Sequence, residues 1–255
     1  MIFLKSRQEI EIMRTANRIV SEILVALRER IRPGISTGEI DRISSELIKK
    51  KAARSAFKGY QIRPGVPPFP ATICVSLNNE VVHGIPSMQR VISAGDVVSL
   101  DFGVIYKDFH GDAAVTFILG EADDQVRRLV RTTAAALEAG IEQAQVGKRL
   151  GDVSAAVQER VERERFSVVR EFVGHGVGRR LHEDPPVPNY GARERGVRLR
   201  EGMVLAIEPM VNNGGPEVRM LSDGWTAVTR DGSLSAHFEH SVAITENGPE
   251  VLSRL

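Results

Sequence analysis

Apolar residues recur three and four apart along 6–31, with Ile12, Ala16, Ile19, Ile23 and Leu27 on one stripe, and this spacing predicts an amphipathic helix. Ser6 with Glu9 three residues on supplies a capping box at its start, and Pro33 and Gly34 end it. Ser36 with Glu39 opens a second helix that carries Ile40, Ile43, Leu47 and Ile48 toward Arg54. A loop rich in glycine and proline follows from Gly59 to Pro70, and strand patterns occupy 71–77, 97–105 and 112–119. Helical spacing then returns over 122–145 (Val126, Leu129, Val130, Thr133, Leu137, Ile141) and 150–165 (Val153, Val157, Val161). Strand-like segments follow near 168–173, 203–208, 225–229 and 238–245.

Two helices followed by strands, twice over, suggest an internal duplication, and short strings align in the same order. Pro33 to Ile40 resembles Val146 to Val153, and His83-Gly84-Ile85 resembles His175-Gly176-Val177. Gly95 to Asp101 resembles Gly202 to Glu208, and His110 to Val115 resembles His237 to Val242. The expectation is one duplicated α+β domain over 1–255, with halves of about 1–120 and 121–255 related by a pseudo-two-fold axis.

The repeat duplicates acidic residues on strands. Successive side chains of a strand face opposite sides, so Val98, Leu100 and Phe102 form a core face and Asp101 lies on the other. By the same alternation Asp112, Glu208 and Glu239 each fall on the smaller, more polar side of their segments. One antiparallel sheet with helices on its outer face and a concave acidic floor satisfies all four patterns. A turn at Tyr106 and Lys107 would set Asp101 opposite Asp112, with Cβ atoms about 5 Å apart. Carboxylates that close repel, and a divalent cation resolves the conflict; two such ions balance four carboxylates. Asp96 and Asp108 read as solvated or turn-capping acids.

Composition narrows the class. Lys plus Arg is 34 and Asp plus Glu 33, so the chain supplies no field for a polyanion and sequence-specific nucleic-acid binding is not expected. An apolar fraction of 42% with 26% charged residues is that of an ordinary globule. The single cysteine, Cys74, rules out an intrachain disulfide, suits a reducing compartment and, in a strand-like run, reads as a packed inert thiol. No signal-peptide pattern is visible, and the longest apolar runs fall far short of the roughly 20 residues that span a bilayer. A cytoplasmic protein, monomeric and without a membrane partner, is expected.

Of six histidines, His175 stands in Gly174-His175-Gly176-Val177-Gly178 and His182 follows before Glu183-Asp184-Pro185-Pro186, in what reads as a strand-to-loop passage. Neutral imidazole among carboxylates is a common ligand in mixed nitrogen and oxygen metal sites. His110, His237 and His240 read as hydrogen-bonded or surface residues, His110 and His237 marking where strands begin.

Six strings in order carry a resemblance: Asn79 to Pro86 with His83, Ser99-Leu100-Asp101-Phe102-Gly103, Gly111-Asp112, Gly174 to Gly178 with His182 to Pro185, Ile207-Glu208-Pro209, and Phe238-Glu239-His240. Together they resemble the methionine aminopeptidases, metallopeptidases of the pita-bread fold. The short stretch between His182 and Glu208 leaves no room for the helical insertion of the type II enzymes. With no N-terminal extension before the first helix, the chain looks like the short bacterial type I form.

The resemblance implies a dinuclear centre of Co, Mn, Fe or Zn held by Asp101, Asp112, His175, Glu208 and Glu239, with Asp112 and Glu239 bridging. It implies a water or hydroxide as nucleophile, His182 on the developing oxyanion, His83 at the scissile amide nitrogen and Glu208 as proton shuttle. Phe69, Cys74, Leu181, His83 and Trp225 match the family's methionine pocket. The implied activity is removal of N-terminal methionine from peptides and nascent chains whose second residue is small. The segment Gln61 to Pro68 departs from the family in being longer and richer in proline. Basic runs at Lys49-Lys50-Lys51 with Arg54, and from Arg193 to Arg200, are candidates for weak ribosome contact. Rival readings are a proline-specific peptidase of the same fold, a non-catalytic binding protein on it, and a metal-dependent phosphoesterase, for which no phosphate-cradling loop is evident.

Overall fold

The computed structural model describes residues 1–62 and 64–254; Arg63, in the proline-rich segment noted above, and Leu255 lie outside the described residues. In chain order the first half contains helices α1 (Arg7–Arg28) and α2 (Thr37–Lys49), then strands β1 (Arg54–Ser55), β2 (Cys74–Leu77), β3 (Glu80–Val82), β4 (Val97–Tyr106) and β5 (Phe109–Ile118). The second half opens with α3 (Asp124–Gln143) and α4 (Leu150–Arg163), then β6 (Ser167–Val168), β7 (Gly174–Gly176), β8 (Glu183–Val187) and β9 (Val204–Ile207). It closes with β10 (Met210–Asn212), β11 (Val218–Met220), β12 (Ala227–Thr229), β13 (Ser235–His237), β14 (Glu239–Thr245) and β15 (Gly248–Val251).

The helices start where their caps stand. Ser6 and Ser36 each accept from the backbone of the residue three on, and Glu9 and Glu39 reach back to the cap backbones. α2 ends at Lys49 rather than near Arg54: beyond Ile48 the chain offers only exposed lysines, and Ala52 turns left-handed at φ 51°.

The main sheet runs β1-β4-β5-β14-β9-β7-β8, with β2 on β4 and β15 on β14, and its pairings are antiparallel. α1 covers one half, packing Ala16, Val20, Ile23 and Leu27 on Val98, Leu100, Phe102 and Phe117. The other half is backed by Leu137, Ile141 and Val153 of α3 and α4 against Leu205, Ile207, Val242 and Ile244. Each fully buried aliphatic side chain contributes roughly 1.5–3 kcal/mol, so the helices are held firmly against the sheet. Corresponding hydrogen bonds occur in both halves: Gly34 N donates to Ile92 O at 2.8 Å and Gly147 N to Leu199 O at 3.0 Å.

Three further features, all in the strands, differ from expectation. The β4–β5 turn is Lys107–Asp108, both at positive φ (46° and 62°), as a two-residue hairpin requires. The register therefore pairs Asp112 with Gly103 and Asp101 with Ala114, so the two acids are diagonal neighbours on one face rather than directly opposed. The segment expected at 168–173 is shorter, and Gly174-His175-Gly176 is itself a strand. Glu183 to Val187 forms β8 despite Pro185 and Pro186, which its place at the sheet edge tolerates. Two three-stranded sheets, β13-β10-β6 and β11-β12-β3, complete the molecule.

α1 also reaches the floor. A Cβ on Gly111 would lie 2.6 Å from Ala16 C and 2.7 Å from Asn17 N, so only glycine lets the helix backbone come this close. That approach lets Asn17 Oδ1 accept from Asp112 N at 3.2 Å while its Nδ2 donates to Met13 O at 2.9 Å. Gly111→Ala should lower the urea unfolding midpoint by the equivalent of about 1–3 kcal/mol; an unchanged midpoint would show that α1 can move away freely.

Candidate metal centre

Five consecutive strands of the sheet, β4, β5, β14, β9 and β7, bring Asp101, Asp112, Glu239, Glu208 and His175 to one floor, Glu208 directly after the end of β9. The β5–β14 register sets Glu239 against Ala114, and the β7–β9 register sets His175 against Ala206. Ligand atoms of Asp112, His175 and Glu239 all lie within 4.8 Å of one another. His175 Nε2 is 3.4 Å from Glu208 Oε1 and 4.0 Å from Asp112 Oδ2. A cavity of about 400 Å³ opens over this floor, and Asp101 and Glu208 line it with the other three.

Burial dominates the electrostatics. It pushes Asp101 up to about 7, with His237 drawing it down and Glu208 adding to the rise. It pushes Glu208 up to about 8. Asp112 and Glu239 rise well above the ordinary carboxylate range, first through burial and then through their acidic neighbours. Neither lysine nor arginine is among the described residues lining the cavity. Buried oxygens of Asp101, Asp112 and Glu239 have no hydrogen-bond partner. Clustered hard oxygen donors, orphaned and uncompensated, are what a divalent cation satisfies, so these residues fit a metal. His175 fits as well: its Nδ1 lies 2.9 Å from Gly176 O, and with that nitrogen donating, the Nε2 lone pair is free for a ligand. Burial holds this ring neutral, its pKa lowered to about 3.

The other expected site residues line the same cavity. His83 is held at φ 61°, its ring edge-on to Phe172 and Trp225 at 5.4 and 6.0 Å. His182 stands 4.3 Å from the His175 ring, and burial lowers both His83 and His182 to about 4. Phe69, Cys74, Leu181 and Trp225 form a buried apolar recess, with Phe69 edge-on to Trp225 at 5.2 Å. Cys74 is 4% exposed and burial pushes its thiol up, as an inert packed cysteine requires.

Sequence reasoning missed Phe57 and Tyr60 on the recess wall. Tyr60 Oη lies 2.5 Å from His182 Nδ1, a partnership that joins residues far apart in the chain. The only signal was two aromatics close together in a chain that is 5% aromatic. The loop after Tyr60 closes on itself through Phe69 N to Tyr60 O at 2.8 Å, and Trp225 Nε1 donates to Pro67 O at 2.7 Å. His110 and His240 are hydrogen-bonded, to Gly178 O and Ser253 Oγ. His237 is neither bonded through Nε2 nor on the surface. It ends β13 at 2% exposure, 3.6 Å from Glu208 Oε2.

Fold and floor together define a metallopeptidase: residues 11–246 match the model of metallopeptidase family M24, and the chain belongs to that family. The similar proteins are more particular. A methionine aminopeptidase of Clostridium perfringens is 51% identical over 99% of both chains, and methionine aminopeptidase 1 of Bacillus subtilis 49% over the whole of each. The crystal structure of the methionine aminopeptidase of Thermotoga maritima superposes with a TM-score of 0.96 at 49% identity, covering all of both chains. A prolidase of Pyrococcus furiosus shares the fold at 23% identity and TM-score 0.78 over 65% of its length. The architecture is the pita-bread fold: duplicated α+β halves, with helices outside an antiparallel sheet.

The shifted acids make the metal-free protein sensitive to alkali. Above about pH 7.5 the histidines are mostly neutral whether the chain is folded or not, because their ordinary value is 6.5 and burial only lowers it. Glu208, and Asp101 in smaller part, still hold protons in the fold that the unfolded chain, at ordinary values of 4.5 and 3.8, has lost. Stability should therefore fall as pH rises from about 7.5 to 8.5, by about 1.4 kcal/mol per pH unit for each proton retained. Urea unfolding of the metal-stripped protein checks this, and Mn²⁺ should abolish the trend; a flat profile without metal would contradict it.

Proposed function

We propose that this chain removes N-terminal methionine from peptides and nascent chains whose second residue is small, as one catalytic domain of two pseudo-symmetric halves, about 1–120 and 121–255. The observation that carries this reading is the cavity itself, with a five-ligand acidic floor at one side and the Phe69–Trp225 recess at the other. Two divalent ions, of Mn, Fe, Co or Zn, suit a floor of four carboxylates and one imidazole, and such ions supply an acidified water and a polarised carbonyl. Asp101 would hold one ion, His175 and Glu208 the other, with Asp112 and Glu239 between them.

The chain's own groups supply the rest. The recess receives the methionine side chain, whose sulfur against Phe69 and Trp225 is worth about 0.3–1.5 kcal/mol per aromatic contact. The substrate's free α-amine faces the Asp101 side, so the site measures one residue from the chain end. Glu208 accepts the proton of the attacking water at a carboxylate oxygen and returns it to the leaving amine. Tyr60 donates to His182 Nδ1, which leaves the His182 proton on Nε2 for the substrate carbonyl oxygen as it gains charge. His83 contacts the scissile amide nitrogen.

Among the described residues no helix is long and apolar enough to cross a membrane. We propose a monomer that works in the cytoplasm. Lys49, Lys50, Lys51, Arg54, Arg193, Arg195 and Arg198 are exposed, which supports weak contact with ribosomal RNA, although Lys51 and Arg193 are also paired with Glu22 and Glu159.

The metal-stripped protein should regain release of methionine from Met-Ala-Ser when Mn²⁺, Co²⁺, Fe²⁺ or Zn²⁺ is restored, and leave Ala-Pro-Ala intact. Cleavage of Ala-Pro-Ala alone would move the assignment to a proline-specific peptidase. Asp112→Asn and Glu239→Gln should each lower kcat by more than about 100-fold, because even residues that only support metal ligands cost 10–100-fold. Full activity in either variant would defeat the two-metal reading.

A further inference from the structure

Glu208 differs from the other three acids in what surrounds it. Its main-chain carbonyl accepts from Asn189 Nδ2 at 3.0 Å, and each of its carboxylate oxygens faces an imidazole. Oε1 lies 3.4 Å from His175 Nε2 and Oε2 lies 3.6 Å from His237 Nε2. The two rings are not equivalent. With His175 Nδ1 donating to Gly176 O, its Nε2 carries no proton and cannot donate to Glu208. His237 has no such commitment at Nε2, which is buried with no partner.

His237 cannot easily withdraw. Its N–H donates to Thr116 Oγ1 at 2.9 Å, Thr116 Oγ1 donates to His237 O at 2.6 Å, and Ser99 Oγ lies 2.7 Å from that same hydroxyl. The ring is 2% exposed and is not among the residues lining the cavity, so substrate contact does not account for its placement. A buried imidazole nitrogen left without a partner costs about 1–3 kcal/mol. Glu208 Oε2 is the nearby acceptor, and a small rotation of the carboxylate brings it within hydrogen-bond distance.

We propose that His237 is a positioning residue for Glu208, its Nε2–H donating to Oε2 and so directing Oε1 toward the His175 side of the centre. The consequence is site-selective. Losing the donor should weaken metal held by His175 and Glu208 and spare metal held by Asp101. This rests on the dinuclear reading above.

The test is Mn²⁺ titration of the metal-free full chain by isothermal calorimetry, with ¹⁵N-histidine NMR of the Zn²⁺-loaded protein. His237→Leu should weaken one of the two sites by about 10–100-fold and leave the other within about threefold. His237→Gln, which restores an amide donor, should recover most of that loss. NMR of the unaltered protein should show His237 as the Nε2–H tautomer, assigned by its absence from the His237→Gln spectrum. Two sites of unchanged affinity in His237→Leu, or a His237 proton on Nδ1, would overturn the proposal, and the tautomer decides even if His237→Leu fails to fold. Asp112→Asn separates the two levels: wild-type Mn²⁺ binding there would refute the dinuclear centre, and the proposal with it, whatever His237 does.

Discussion

Four carboxylates held in one partly dry floor constrain everything around them. Like charges at such spacing repel strongly at low effective dielectric, and burial adds the cost of lost hydration. The protein meets that cost with rigidity. Each acid belongs to a different strand or the residue directly after one, every strand is paired to the next, and the far side of the sheet is packed against helices. A loop-borne set could move apart and take up water. Acids fixed to a backed sheet cannot, and a divalent cation becomes the favourable way to neutralise them.

The same rigidity divides the cavity. On the floor, oxygens are orphaned and rings such as His175 are kept neutral by burial. On the wall, Phe69, Leu181 and Trp225 make a surface on which a charged or strongly hydrated side chain loses its water without recompense. On the function proposed above, a peptide held between the two is read from its terminus, its apolar side chain in the recess and its backbone over the floor. Pro67, in the proline-rich segment after Tyr60, belongs to this wall, because the Trp225 indole is bonded to its carbonyl.

Much of the site was legible because strand alternation is local. Asp101, Asp112, Glu208 and Glu239 could be placed on polar faces from their neighbours alone, and all eleven expected site residues line one cavity. The β4–β5 register was not legible, since a Lys-Asp turn carries no glycine or asparagine to announce its positive φ, and a shift of the turn moves every pairing. Phe57 and Tyr60 were hidden for a different reason. Loop residues have no period, and the hydroxyl of Tyr60 finds its use only against a histidine from the other half of the chain.

Amphipathic spacing, capping boxes and the ordered acid and histidine strings determined the α+β class, the duplicated order of elements and the chemistry carried by the floor. These are properties of short windows, in which a side chain's direction follows from its immediate neighbours. Tertiary structure decided which side chains share a cavity, how strongly burial shifts them, and that His237 stands unpartnered beside Glu208. Distances and dielectric are set by contacts between strands far apart in sequence, and no local pattern encodes them.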